Sequence, residues 1–253
     1  MGKKLSALIL VFALTFCFLA SCKKEEESTQ DGYKATIVVS FSSVDEALAE
    51  AISSFGSSTY TLYSSGDNLK IESSASLEGV SVNRTYTVID NMIYNTTDMT
   101  AGNNIVTQRE KAEFSKIDRA ELILSVGAGA DLDLDDFDTV TKMNENNKQK
   151  TVSYVCSDIS EEPKASLISI FAKKFQSFNA TVELDDVQYY VEYKDEVVAN
   201  YILTANFVIT INGVSYSVNM GVECTYDYNA KFEIDLPDGA EDYLDVRYDD
   251  IIG

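Results

Sequence analysis

From Val197 to Tyr228, apolar and polar side chains alternate on both sides of Asn212-Gly213. Asn-Gly between two alternating runs predicts a hairpin with a type I′ turn, which needs φ > 0 at both central residues. Placing the turn there sets the register. Ile211 then faces Val214, Ile209 faces Tyr216, Phe207 faces Val218 and Ala205 faces Met220. Leu203 faces Val222, Tyr201 faces Cys224 and Ala199 faces Tyr226. One side of the hairpin is thus apolar or aromatic along its whole length, while Thr210, Ser215, Asn206 and Asn219 occupy the other. A slip of one residue would exchange the two faces, so the alternation specifies the pairing. Fully extended, each arm would span ~50 Å at ~3.4 Å per residue, so the arms must twist and curl.

The same periodicities predict the remaining elements. Tyr33–Phe41 reads as a strand. Ser43-Val44-Asp45-Glu46 is a capping box, and Val44, Ala47, Leu48, Ala51, Ile52 and Phe55 recur at helical spacing up to Gly56. Short strands are expected at Thr59–Ser64, Asp67–Leu77, Val80–Ile89 and Met92–Asn95, the last two joined at Asp90-Asn91. Residues 100–104 read as a loop, and a second helix runs from Asp118 to about Val126. A hairpin pairs Phe137–Met143 with Lys150–Ser157. A third helix starts near Ser160 with an apolar stripe of Leu167, Ile170, Phe171, Phe175 and Phe178. In Ala180–Tyr193 the apolar phase shifts across Asp185-Asp186, which predicts a bulge. Phe232–Leu236 and Tyr243–Tyr248 read as short closing segments. The expected class is α+β: a curved antiparallel sheet of about ten or eleven strands with two or three helices. The helices at 44–55 and 162–178 are available to cover its apolar face.

The N-terminus adds an address. Lys3-Lys4 precede a short apolar run, Leu5–Leu19, which has the form of a secretory signal. The run ends in Leu19-Ala20-Ser21-Cys22, which resembles the lipobox of bacterial lipoproteins. That resemblance implies cleavage before Cys22 and lipidation of its thiol. An ordinary signal peptide with a chance cysteine is the alternative. The expected organisation is a signal peptide at 1–21, a polar tether at 22–32 and one domain at 33–253. The expected location is extracytoplasmic, anchored to a bacterial membrane through Cys22, since several acyl chains hold where one is marginal.

Charge and composition narrow the chemistry. The chain carries a formal charge of −21, which becomes −23 once Lys3 and Lys4 are removed. So acidic a surface repels nucleic acid, and no basic patch with interleaved aromatics offsets it. There is no histidine, so the usual general base and the commonest metal ligand are missing. Adjacent carboxylates such as Asp185-Asp186 and Glu161-Glu162 read as solvated faces or caps, and no catalytic residue or cofactor is predicted. Asp131, Asp133, Asp135, Asp136 and Asp138 begin like a calcium loop. Asp136 stands where such a loop needs glycine, and Lys142 where it needs a bidentate glutamate. An acidic connector is therefore expected and no metal site. Beyond Cys22 the cysteines are Cys156 and Cys224, both in phase with apolar neighbours. Either a disulfide or two buried thiols satisfies that pattern.

With the lipobox, the Thr85–Tyr94 hairpin, the helix after Ser160, the Tyr226-Asp227-Tyr228-Asn229 end of the long hairpin and the terminal Phe232–Pro237, the chain resembles the LolA/LppX/LprG-like superfamily of bacterial envelope proteins. The resemblance spans roughly residues 33–243. It implies a strongly curved, open antiparallel half-barrel closed by helices over its concave face, with acyl chains bound between sheet and helices. The apolar hairpin face then has two readings. It lines a ligand cavity through Tyr201, Leu203, Phe207, Ile209, Tyr216, Val218 and Met220, or it is a packed core. The expected function is an exported lipoprotein binding a lipid or acylated molecule; the alternative is a non-catalytic surface or envelope interaction module.

Overall fold

The computed structural model describes residues 32–45, 57–77, 79–115, 119, 122–123, 132–174 and 180–252. Twelve strands form one sheet: β1 (Gly32–Ser43), β2 (Ser57–Ser65), β3 (Asn68–Leu77), β4 (Val80–Ile89), β5 (Met92–Ala101), β6 (Asn104–Glu113), β7 (Phe137–Asn146), β8 (Thr151–Ile159), β9 (Thr181–Lys194), β10 (Val197–Ile211), β11 (Val214–Asp227) and β12 (Leu244–Asp245). Their spatial order is β12-β6-β5-β4-β3-β2-β1-β11-β10-β9-β8-β7. Every neighbouring pair is antiparallel except β12 on β6, which is parallel. All the strands and the core lie within Gly32–Gly253, which forms one compact unit.

Two-residue turns produce the meander. Gly66 and Gly102 stand at the first central position of their turns with φ 57 and 59, as a type II′ turn needs. Asp90-Asn91 and Asn212-Gly213 have both central residues at positive φ, as type I′ needs. The long hairpin pairs as its alternation requires, from Ile211–Val214 through Phe207–Val218 to Tyr201–Cys224. The expected bulge is present: opposite β10, the register shifts between Asn206, which pairs with Asp186, and Phe207, which pairs with Leu184.

The inner face of the sheet holds the core. Ile37, Leu62, Leu69, Ile71, Ile93, Tyr201, Leu203, Phe207 and Ile209 are all almost fully buried. One helix of 14 residues, α1 (Glu161–Lys174), lies over this face. Its Phe171 ring stacks on Phe207 at a centroid distance of 3.9 Å and tilts against Phe41 at 5.8 Å. A second helix, α2 (Tyr248–Ile252), has five residues, and its Tyr248 ring meets Phe114 edge-on.

The expected α+β half-barrel with helices over its concave face is not what forms. The described fold is mostly β, and its two short helices do not cover a sheet of twelve strands. The physical reason lies in β5 and β6. Their alternation extends through Thr97, Asp98, Thr107 and Gln108, polar residues that carry the strand period without an apolar signal. The expected loop at 100–104 is a two-residue turn inside that hairpin. Phe232–Leu236 forms no strand, and of the second closing segment only Leu244–Asp245 does. Most of the predicted helix at 44–55 lies outside the described residues, and Val44 itself is largely exposed. Of the predicted 118–126 helix, Arg119, Leu122 and Ile123 are described and helical, with Leu122 fully buried. Positions 175–178 of the third helix, the signal segment, Cys22 and the tether as far as Asp31 also lie outside the described residues. Among those described, no helix is long and apolar enough to cross a membrane.

The strand order also settles the cysteines. Cys156 is in β8 and Cys224 in β11, with β9 and β10 between them. Three inter-strand spacings put their backbones ~14 Å apart, against the ~7 Å limit for a disulfide. Both are buried thiols.

Candidate functional site

The seven hairpin residues expected to line a cavity share the inner face. Tyr201, Leu203, Phe207, Ile209, Val218 and Met220 are buried there, and Tyr216 is half-buried near the turn. Phe171 fills the space above Phe207. This half of the sheet, β9 to β11, is packed core.

A cleft of about 270 Å³ opens elsewhere, between β7, β8, β9 and α1, lined by Asp138, Asp158, Lys164, Leu184, Asp185 and Asp186 among others. None of the seven hairpin residues lines it. Its carboxylates have local tasks, since Asp158 accepts hydrogen bonds from Thr139 Oγ1 at 2.6 Å and Ser157 Oγ at 3.2 Å. The acidic run before it is a structural connector. The Asp133 N–H donates to Asp136 Oδ2 at 2.8 Å, and the Asp136 carbonyl accepts from Ser160 Oγ at 2.9 Å. Burial, with Asp136 and then Asp135 adding to it, pushes the Asp133 carboxyl up. Among the described residues no group of three or more ligands is placed to hold a metal ion.

The other half of the inner face, β3 to β6, is graded from dry to open. Strand registers stack its side chains in rows running across four strands. Ile71, Tyr86, Asn95 and Glu110 form one row, and Ser73, Arg84, Thr97 and Gln108 the next. Ala75, Val82, Met99 and Val106 form a third. Behind the first row, Leu69, Val88, Ile93 and Ala112 are buried. The third row faces outward into the open: Met99 is 38% and Val106 58% exposed. β12 pairs only with Glu110 and Lys111, so the Asn104–Arg109 edge beside this row has no described strand neighbour.

Between dry and open ends runs an ordered chain of hydrogen bonds. Arg84 Nε donates to Thr97 Oγ1 at 3.2 Å, and Thr97 Oγ1 donates to Asn95 Oδ1 at 3.3 Å. Asn95 Nδ2 donates to Glu110 Oε2 at 3.2 Å, and Gln108 Nε2 donates to Glu110 Oε1 at 2.7 Å. The chain accounts for two buried polar side chains, Asn95 and Thr97, that would otherwise be costly on a core face. Arg84 Nη1 also donates to the Tyr86 hydroxyl at 3.0 Å, and the guanidinium carbon lies 5.8 Å from the Tyr86 ring centre. Burial pushes the Tyr86 phenol up while Arg84 pulls it down; the net direction is up, so the hydroxyl keeps its proton at neutral pH.

None of these residues stood out in the sequence. The missed signal was Gly102-Asn103, a two-residue hairpin pair that extends β5 and β6 and brings Met99 opposite Val106. No family model matches the chain, and no curated protein matches it. Among solved structures it is similar to the ywiB protein from Bacillus subtilis, at 9% identity and TM-score 0.23, over 77% of this chain and 92% of that one. It is also similar to a protein assigned as AttH (NE1406) from Nitrosomonas europaea, at 8% identity and TM-score 0.16, over 83% of this chain and 57% of that one. At these scores neither likeness carries an argument about this chain.

Proposed function

We propose that the protein is an exported, lipid-anchored, non-catalytic binding module that holds an apolar ligand against the inner face of β3–β6. The observation that carries this reading is the Ala75–Val82–Met99–Val106 row. It is a continuous apolar strip on a core face that is left open where the rest of that face is packed. Three inter-strand spacings make the strip ~14 Å wide, enough to seat a chain of methylene groups across it. The anchor rests on Leu19-Ala20-Ser21-Cys22, and the resemblance to LolA-like proteins supports an acyl ligand. The packing of Phe171 on Phe207 favours a second reading, a surface interaction module with a filled core.

Ile105 and Val106 provide the test. They are adjacent on β6, both exposed, and on opposite faces of the sheet. A chain beginning at Lys23 keeps the whole compact unit and leaves out the acyl anchor. On it, Val106→Glu lowers affinity for the neutral dye Nile red about tenfold or more, by placing a charge on the apolar strip. Ile105→Glu leaves affinity near wild type. Equal affinity in the two variants, or no dye binding by the wild type, contradicts the site.

A further inference from the structure

The apolar strip ends against one fixed positive charge. On the inner face of β2–β6, Arg84 is the one cationic side chain those described strands carry, and Glu110 the one anionic side chain. The two lie two strands and one same-face step apart, roughly 12 Å between backbones. Glu110 is occupied by the amides of Asn95 and Gln108. Arg84 is held by neutral acceptors alone, through one N–H to Thr97 and one to Tyr86. A guanidinium has five N–H donors in a planar fork, so three are left to another acceptor. No described carboxylate lies within ion-pairing distance of it. The Tyr86 hydroxyl accepts from Arg84, which leaves its own proton to donate.

We propose that Arg84 and Tyr86 bind the head of a single-chain amphiphile carrying one negative charge, a long-chain carboxylate, with its tail lying over Val82, Met99 and Val106. This rests on the apolar site of the previous subsection and names its ligand class. The tail direction follows from packing. On one side of Arg84 the rows are filled by Tyr86, Val88 and Ile93, and on the other the strip is open. The carboxylate follows from charge matching. A single guanidinium neutralises one charge and meets a carboxylate's two oxygens side by side. A phosphate dianion would leave a second charge uncompensated on a face that also carries Glu110, in a chain of formal charge −21.

The experiment is displacement of Nile red at pH 8 from the chain beginning at Lys23. The competitors are decanoate, decanol, decylammonium and decyl phosphate, whose tails are alike. Decanoate is expected to displace the dye at a concentration at least about tenfold below decanol, the scale of a charge-assisted hydrogen-bonded pair. Decylammonium is expected to be weaker than decanol, and decyl phosphate no better than decanoate. Arg84→Gln brings the decanoate-to-decanol ratio to about one. Equal displacement by decanoate and decanol in the wild type overturns the head-group assignment, as does a tenfold advantage for decyl phosphate or a preference that survives Arg84→Gln. In each of those outcomes the dye still binds and the apolar site stands. Failure of the wild type to bind the dye at all overturns the apolar site itself. Should Arg84→Gln not fold, the four competitors on the wild type decide the matter.

Discussion

Asp195 and Glu196 connect β9 to β10 with φ of 52 and 70, so both central residues of this turn are left-handed and neither is glycine. The Asn212-Gly213 turn has the same backbone with a glycine in its second place, at φ 79. An L side chain in that region is strained by contact between its Cβ and the backbone. What holds the first turn is local: the Asp195 N–H donates to the Lys150 carbonyl at 3.0 Å, and Asp195 pairs with Lys150 Nζ at 3.0 Å. The pair is well exposed on both sides and contributes under ~1 kcal/mol. Glu196 makes no such contact. Glu196→Gly is therefore expected to raise stability by about 0.5–1 kcal/mol, strain relief exceeding the added chain entropy. Asp195→Gly should gain less, because it gives up the Lys150 carboxylate contact. A urea midpoint for Glu196→Gly at or below wild type would show that the turn is unstrained.

At the scale of elements, the hairpin β10–β11 shows what alternation specifies. Phe207 is buried under the Phe171 ring, whereas Asn206 points to the other face and accepts from Asn219 Nδ2 at 2.6 Å. Phe207→Asp removes the stacked ring and strands a charge in the core, with an expected loss of about 4 kcal/mol or more. Asn206→Asp keeps an acceptor for Asn219 but stands opposite Asp186, so it should lose well under ~1 kcal/mol. Similar melting temperatures for the two variants would mean the faces are reversed. This register, the bulge at Asp185-Asp186 and the Leu167–Phe171 face of α1 were all legible, because each is an apolar period read against a strong turn or cap. The candidate site was not legible. Arg84, Thr97 and Gln108 look like solvated polar positions in sequence, and only the cross-strand registers place them in one row beside Val82, Met99 and Val106. The helical covers were over-read for the converse reason, since an amphipathic stripe states which face is apolar and not how much sheet one helix can cover.

For the whole molecule, composition sets how stability responds to pH. With no histidine, no side chain has an ordinary pKa between pH 5 and 8. Stability is therefore expected to be nearly flat from about pH 6 to 8. Above that range the buried acids decide. Burial pushes the Cys156 thiol up, and Tyr63 and Tyr86 are raised mainly by burial as well. Tyr193 is pushed up to about 12, first by burial and then by the nearby Asp133, Cys156 and Tyr154. A tyrosine in the unfolded chain ionises near pH 10. Between pH 10 and about 12 the folded protein consequently binds more protons at Tyr193 than the unfolded chain does, and stability falls as pH rises. The contribution is fully present below pH 10 and gone above the folded value, while new tyrosinates add to the repulsion within an already acidic chain. Urea midpoints should hold level to pH 8 and then drop steeply between pH 10 and 12. Tyr193→Phe retains the ring that packs edge-on against Tyr154 at 6.1 Å but has no proton to lose, so it should flatten part of that drop. A wild-type decline already under way at pH 7, or a Tyr193→Phe profile parallel to wild type through pH 12, would mean that the Tyr193 phenol is not held in its neutral form by the fold.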